Sequence, residues 1–303
     1  MEKYISIIIP AYNEEAGIKN TLIELIEHME KLEYTYEIIL IDDGSEDNTY
    51  TIAKDIAENY PDIIRIKQHT RNKGYGSSIK TAVRIAEGDY IAWYDADGQH
   101  RPEDLEKLIG SVTHKKWDYC IGNRTKDSYE EKTRKLGKRI LKFVVNLLAK
   151  EKMEDFNSGM RIFKREIIKK HANLLPKRFG ASTVTSFLMQ ELEYGGGICP
   201  IIVRQRVGKS SVRQIRDGMR TILLIFQIIL LFRPMQVFGS IGMIAILCGS
   251  LYGVWSAIIQ AIGFPVLGAV VIIFGIETLF FGLIMGQISR LRIELSELKW
   301  GEE

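Results

Sequence analysis

Short β-branched runs alternate with amphipathic stretches through the first third of the chain. Ile5-Ser6-Ile7-Ile8-Ile9-Pro10 is an apolar run closed by a proline, which suits a strand buried on both faces and ending at a loop. Ile18, Leu22, Leu25, Ile26 and Met29 then recur at helical spacing, and Glu37 to Ile41 restores strand composition. The alternation continues with a helix near Thr49 to Asn59, a strand near Ile63 to Lys67 and a helix near Ser77 to Ala86. A strand near Tyr90 to Tyr94 and a helix opening at Pro102 follow. This order predicts an α/β domain of Rossmann-like kind, with a mainly parallel sheet covered by helices and ligands bound outside the carboxyl ends of the strands.

A different pattern takes over near the end. From Pro234 to Ile276 there is no Asp, Glu, Lys or Arg. A single helix of that length would reach about 65 Å, roughly twice the hydrocarbon thickness of a bilayer, so the tract must fold back. Gly263-Phe264-Pro265 supplies the break, leaving Val237 to Ile262 and Pro265 to about Ser289, each long enough to span. Arg213, Arg216, Arg220 and Arg233 precede the hairpin and Arg290, Arg292 and Lys299 follow it, which puts both flanks, and both termini, on the cytoplasmic side. Nothing at the N-terminus resembles a signal peptide, so the polar domain is expected to stay inside as well. The expected organisation is a polar domain over 1–212, an interfacial helix over 213–235, two spans over 236–290 and a cytoplasmic tail over 291–303.

Composition adds limits. The chain has 303 residues, 46% hydrophobic and 26% charged, with a net charge of +3. Those values exclude a disordered chain and argue against a nucleic-acid partner. Cys120, Cys199 and Cys248 are odd in number and lack metal-ligand spacing, as expected of ordinary thiols in a reducing compartment. Two segments are strongly basic, Glu131 to Lys150 and Arg204 to Arg220. In the first, Leu136, Ile140, Phe143, Val144, Leu147 and Leu148 share one helical face and Arg134, Lys135, Lys138, Arg139 and Lys142 another, a pattern open to a membrane-surface helix or to one packed on the core. Glu277, near the middle of the second span, is a candidate for a polar contact between helices or subunits.

The candidate chemistry falls at predicted strand exits. Tyr12, Asn13 and Glu14 follow the first strand, Asp42 and Asp43 the second, and Asp95-Ala96-Asp97-Gly98-Gln99 the strand ending at Tyr94. Asp95 and Asp97, two residues apart with Gln99 two further on, offer oxygen ligands of the kind that suit Mg²⁺ or Mn²⁺. A dinucleotide fingerprint is excluded, because Gly74-Tyr75-Gly76 lacks the third glycine and lies far from the first strand-to-helix turn.

Taken together, Ile8-Ile9-Pro10-Ala11-Tyr12-Asn13-Glu14-Glu15, Asp42-Asp43-Gly44-Ser45, Asn72-Lys73-Gly74, Ala86-Glu87-Gly88-Asp89 and Asp95-Ala96-Asp97-Gly98-Gln99-His100 resemble the family 2 glycosyltransferases. Gly122-Asn123-Arg124, Asp155 to Arg161 and Arg206-Val207-Gly208-Lys209-Ser210 look like its polyprenyl-phosphate group, typified by dolichol-phosphate mannose synthase. The resemblance implies a GT-A fold and inverting transfer of a hexose from a nucleoside diphosphate to a dolichyl or undecaprenyl phosphate. Mannose from GDP-mannose is the leading expectation and glucose from UDP-glucose the alternative. It further implies a nucleotide-sugar pocket of Pro10, Tyr12, Glu14, Asp42, Asp43, Lys73, Gly74, Asp95 and Ala96. Asp95, Asp97 and Gln99 would hold Mg²⁺ or Mn²⁺, and Arg124, Lys138, Arg206 and Ser210 the acceptor phosphate. Asp97 and Asp155 are the catalytic candidates, Asp155 as a base, a positioning group or a structural carboxylate. Lys138 stands where an arginine is expected and Ser211 where a lysine often follows. Competing expectations are a processive polysaccharide synthase, disfavoured because no tryptophan follows an arginine, a non-enzymatic scaffold, and a transferase with a soluble acceptor. Homo-oligomerisation through the hairpin is a further expectation.

Overall fold

The computed structural model describes residues 4–129, 155–208, 223, 226–259 and 263–298. The basic segment with Lys138, together with Lys209, Ser210, Ser211 and most of the expected interfacial helix, lies outside them. Compact packing divides the chain into one unit over 1–221 joined by 299–303, and a second over 222–298.

In the first unit, seven strands form one sheet in the order β3-β2-β1-β4-β6-β5-β7. The strands are β1 (Tyr4–Ala11), β2 (Thr35–Asp42), β3 (Ile64–Gln68), β4 (Tyr90–Trp93), β5 (Tyr119–Arg124), β6 (Arg161–Lys164) and β7 (Gly196–Ile201). All neighbouring pairs are parallel except the two made by β6, which runs antiparallel to β4 and β5. Helices α1 (Ile18–Met29), α2 (Thr49–Ala57), α3 (Tyr75–Ile85) and α4 (Pro102–His114) connect the first five strands, and α5 (Arg165–His171) and α6 (Ala181–Glu191) lie between β6 and β7.

β1 is buried from Ile5 onward because helices cover both of its faces. Ile5, Ile7 and Ile9 join one core with Ile18, Leu22, Leu25 and Met29 of α1 and with Leu105, Leu108, Ile109 and Val112 of α4. α3 packs on β1 and β2 and buries Ile79 and Val83. Each fully buried isoleucine or leucine contributes about 1.5–3 kcal/mol of transfer free energy. Four strand-to-helix units stacked this way put the ends of β1, β2 and β4 side by side. The boundaries expected for these elements match to within two or three residues. β5, β6 and β7 were not expected. The three cysteines are free thiols, and β5 and β7 bring the Cys120 and Cys199 sulfurs to 3.0 Å.

The second unit is a hairpin of α7 (Pro234–Ile259) and α8 (Val266–Leu298), parted by the segment holding Gly263 and Pro265. α8 therefore continues beyond the expected end of the second span. Both helices are long and apolar enough to cross a membrane. Their seam is made of small residues seven apart, Gly242, Gly249 and Ser256 on α7 facing Gly268, Gly275, Gly282 and Ser289 on α8, all buried. A Cβ on Gly275 would stand 2.7 Å from the Gly242 carbonyl oxygen, so the helices meet backbone to backbone. Leu251, Ile258, Val266 and Phe280 point outward, as a lipid-facing surface requires, and Glu277 lies on the exposed face of α8. Replacing Gly275 by leucine should force the helices apart and cost about 1–3 kcal/mol. Thermal unfolding of the detergent-solubilised protein should show this as a lower melting temperature than that of Phe280→Leu.

Candidate active site

The loops leaving β1 and β2 are tied into one frame. Asn13 adopts a left-handed conformation (φ 54°) that its residue type tolerates. Its backbone N–H donates to the Ser45 hydroxyl at 3.0 Å, and its side-chain oxygen accepts from the Glu46 N–H at 2.9 Å. The Glu14 N–H donates to Thr49 Oγ1 at 2.8 Å, which turns the Glu14 side chain toward the strand ends. Asp43 organises the next loop. Its carboxylate accepts from the Lys73 N–H (3.0 Å), the Gly74 N–H (2.7 Å) and His69 Nδ1 (2.6 Å), while His69 Nε2 bonds Thr81 Oγ1 at 3.0 Å. Asp42 is wholly buried. Its Oδ2 accepts from Ser45 N–H and from Gln68 Nε2, and its Oδ1 has no partner.

These loops border a cavity of about 340 Å³ lined by Pro10, Ala11, Tyr12, Glu14, Asp43, Asn72, Gly74, Tyr75, Ser78, Asp95, Ala96, Asp97, Asn157, Gly159, Phe179, Gly180, Ser182 and Arg206. Residues from seven separate stretches of sequence thus share one chamber. Asp97 reaches it from the turn that begins just after Asp95. Asp95 accepts from the Tyr75 hydroxyl (3.1 Å) and from His100 Nε2 (3.2 Å). Gly159 packs so closely that a Cβ there would lie 1.9 Å from Asp95 Oδ2.

Two carboxylates meet one guanidinium here, with Asp95 beside them. Arg206 donates to Glu14 Oε1, and its other terminal nitrogen lies 3.4 Å from Asp97 Oδ2. Burial, reinforced by the charges of Asp97 and Asp95, pushes the Glu14 carboxyl up to about 7 despite Arg206. Burial and the Asp95 charge likewise raise Asp97. Burial opposes ionisation of Asp95 too, but hydrogen bonds from His100 and Tyr75 outweigh it and hold that carboxyl below its usual range. Beneath them Arg161 is fully buried. It donates to the Ser158 and Ser182 carbonyls and to Thr185 Oγ1 and lies 5.4 Å from the Trp93 ring, and burial lowers it to about 10.

The expected residues separate into groups. Pro10, Tyr12, Glu14, Asp43, Gly74, Asp95, Ala96 and Asp97 line the cavity, and Arg206, expected at the membrane side, joins them. Asp42 and the exposed Lys73 border it without lining it. Gln99 lies outside the lining, its amide nitrogen donating to the Arg204 carbonyl at 3.1 Å. Arg124 forms a two-pronged ion pair with Asp155, both contacts 2.6 Å, so an acceptor-phosphate candidate and a catalytic candidate hold each other. After burial is counted, that pair keeps the Asp155 carboxyl below its ordinary range, which makes it a weak proton acceptor. Tyr75, His69, Asn157, Phe179 and Ser182 were not anticipated. A tyrosine or histidine away from a recognisable motif carries no mark until the fold sets it beside a carboxylate.

The comparisons with known proteins bear on this arrangement. The pattern described as Glycosyl transferase family 2 matches residues 6–172. The chain belongs to glycosyl transferase family 2. Residues 233–291 match the pattern described as GtrB C-terminal hairpin. A UDP-N-acetylglucosamine–dolichyl-phosphate N-acetylglucosaminyltransferase of Methanococcus voltae is 36% identical over 188 residues, 55% of this chain and 72% of that one. An undecaprenyl-phosphate 4-deoxy-4-formamido-L-arabinose transferase of Proteus mirabilis is 29% identical over 164 residues, 54% of this chain and half of that one. Among solved structures, mannosyl-3-phosphoglycerate synthase of Rubrobacter xylanophilus superposes with a TM-score of 0.59 at 16% identity, covering 75% of this chain and 72% of that one, a likeness of fold. The protein is a glycosyltransferase of GT-A fold, within the group that includes transferases to dolichyl and undecaprenyl phosphate.

Two outcomes follow for the family 2 site. Gly159→Ala should displace Asp95 and lower turnover at least about 100-fold while the circular-dichroism spectrum and melting temperature stay near the parent's. Because the native Glu14 carboxyl titrates near 7 and the unfolded one near 4.5, the unfolded chain ionises first and native stability falls as pH rises between those values. Glu14→Gln abolishes that fall, so its melting temperature relative to the parent should be higher at pH 8 than at pH 5.

Proposed function

We propose that the enzyme transfers a sugar from a uridine diphosphate donor to a polyprenyl phosphate at a membrane surface. The observation that carries this reading is the chamber in which Glu14, Asp95 and Asp97 converge beside Tyr12 and Gly74, in a chain that also holds an apolar hairpin. The orphaned Oδ1 of Asp42, buried at the border of the chamber, suits the ring N–H of a nucleobase. The printed name of the Methanococcus voltae relative supports a UDP sugar, whereas the mannose expectation rests on analogy alone.

Asp95 and Asp97 fit a divalent ion such as Mg²⁺ or Mn²⁺. Both are oxygen donors, and the acidic cluster exceeds the positive charge of Arg206. Among the described residues no three His, Cys, Asp or Glu side chains form a complete metal cage, as befits ions that finish their coordination with water and substrate phosphate. Bound there, the ion would neutralise the diphosphate as it departs. Tyr75 and His100 orient Asp95 for that task, and Tyr12 walls the chamber beside the donor.

A lipid phosphate is already anionic near neutral pH and needs no strong base. Asp155 accordingly acts as a positioning group that fixes the Arg124 guanidinium near the acceptor. Lys138 and Ser210 complete the acceptor contacts in this reading. The basic residues flanking the hairpin support a polar domain on the cytoplasmic face.

Membranes containing the protein, supplied with labelled UDP-N-acetylglucosamine, UDP-glucose or GDP-mannose and a polyprenyl phosphate, should move label from a UDP sugar into the lipid phase. Transfer from GDP-mannose alone would overturn the donor assignment. Asp97→Ala should abolish transfer, and Asp155→Asn should reduce it while leaving UDP binding near the parent value.

A further inference from the structure

Arg206 belongs to a short strap, residues 203–208, laid along the loop that carries the acids. The main chain is pinned on both sides of it. The Arg204 N–H donates to the Gln99 carbonyl at 2.9 Å, the Gln99 amide returns a bond to the Arg204 carbonyl at 3.1 Å, and the Val207 N–H donates to the Asp97 carbonyl at 3.1 Å. The Arg204 side chain is forked onto Glu24 at 2.7 and 2.9 Å. Arg206 itself is held differently. Only its terminal nitrogens are engaged, by Glu14 and Asp97, while its Nε is buried without a partner. Its backbone is therefore anchored, and its long side chain can change partners without moving the strap.

The contact with Asp97 has a consequence for metal loading. A cation held by Asp97 would lie within a few ångströms of the guanidinium, and two positive groups sharing one carboxylate repel strongly in a half-buried site. Conversely, an ion-free site without Arg206 would leave Glu14, Asp95 and Asp97 facing one another, with His100 and the buried Arg161 as the neighbouring basic groups. We infer that Arg206 is a resident counter-ion that stands in for the divalent cation while the donor is absent and is released toward the acceptor phosphate when the metal–nucleotide complex arrives. The inference rests on the proposed donor site and adds a sequence to it. Donor loading and acceptor capture become coupled, because the same guanidinium serves first the acids and then the lipid phosphate. The unpartnered Nε gives it a further donor for the phosphate.

The test uses the full-length protein in detergent and Mn²⁺ alone, followed by the resonance of free Mn²⁺ in electron paramagnetic spectra. Arg206→Gln should bind Mn²⁺ about ten-fold more tightly than the parent in the absence of nucleotide. Arg206→Lys, which keeps the charge, should stay near the parent. With donor saturating, Arg206→Gln should raise the KM for polyprenyl phosphate several-fold. In the unmodified protein, Mn²⁺ with UDP should increase modification of the Arg206 guanidinium by phenylglyoxal, read by mass spectrometry, and this measurement holds even if the variants fold poorly. Equal Mn²⁺ affinity in parent and Arg206→Gln, or modification indifferent to Mn²⁺ and UDP, would overturn the exchange while leaving the donor site intact. Absence of Mn²⁺ binding in every form would remove both this inference and the metal site beneath it.

Discussion

Negative charge concentrated at one edge of a buried sheet is the constraint around which the catalytic domain is arranged. Glu14 comes from the loop after β1 and Asp95 and Asp97 from the loop after β4, and together they line the chamber at the strand ends. Carboxylates so placed are costly unless something compensates them. The chain compensates them unequally. Asp95 receives two hydrogen bonds and stays ionised, whereas Glu14 and Asp97 lean on a single guanidinium and are pushed toward neutrality. The residual imbalance leaves the site short of positive charge.

The supporting groups are as specific as the acids. His69 and the 73–74 backbone hold Asp43, Tyr75 and His100 hold Asp95, and Arg161 anchors the Ser158 carbonyl and the start of α6 from below. Gly159 is the point at which the segment entering β6 meets Asp95 of the loop after β4, with no room for a side chain. Because β6 runs against its neighbours, it delivers Asp155, Asn157 and Gly159 to the same edge that the parallel strands reach with their carboxyl ends. The reversed strand thus supplies one wall of the chamber.

The hairpin follows a separate logic. Between its helices the apolar effect gains little in lipid, so close backbone contact through glycines replaces large side chains at the seam, and the large side chains face outward. A soluble helical pair would invert that distribution.

The alternation of β-branched runs with helical periodicities was enough to establish the α/β class, the first four strands and the three acidic exits, because these depend on local patterns with periods of two and 3.6 residues. The charge-free tract broken at Gly263 and Pro265 was equally legible, since length and polarity alone decide whether a helix can span. Other features depended on residues far apart in sequence. β6 is four residues long and begins with an arginine, so no local pattern marks it as a strand; only pairing with β4 and β5 makes it one. The family resemblance implied an acceptor-phosphate role for Arg206, yet the pinned strap carries it to Glu14 and Asp97. The Arg124–Asp155 fork likewise joins two residues whose separate motifs carry no sign of their contact. Sequence conveys which chemistry is available, because residue types and local periods are written along the chain. Which charge neutralises which is settled only when tertiary packing sets the distances through which electrostatic energies act.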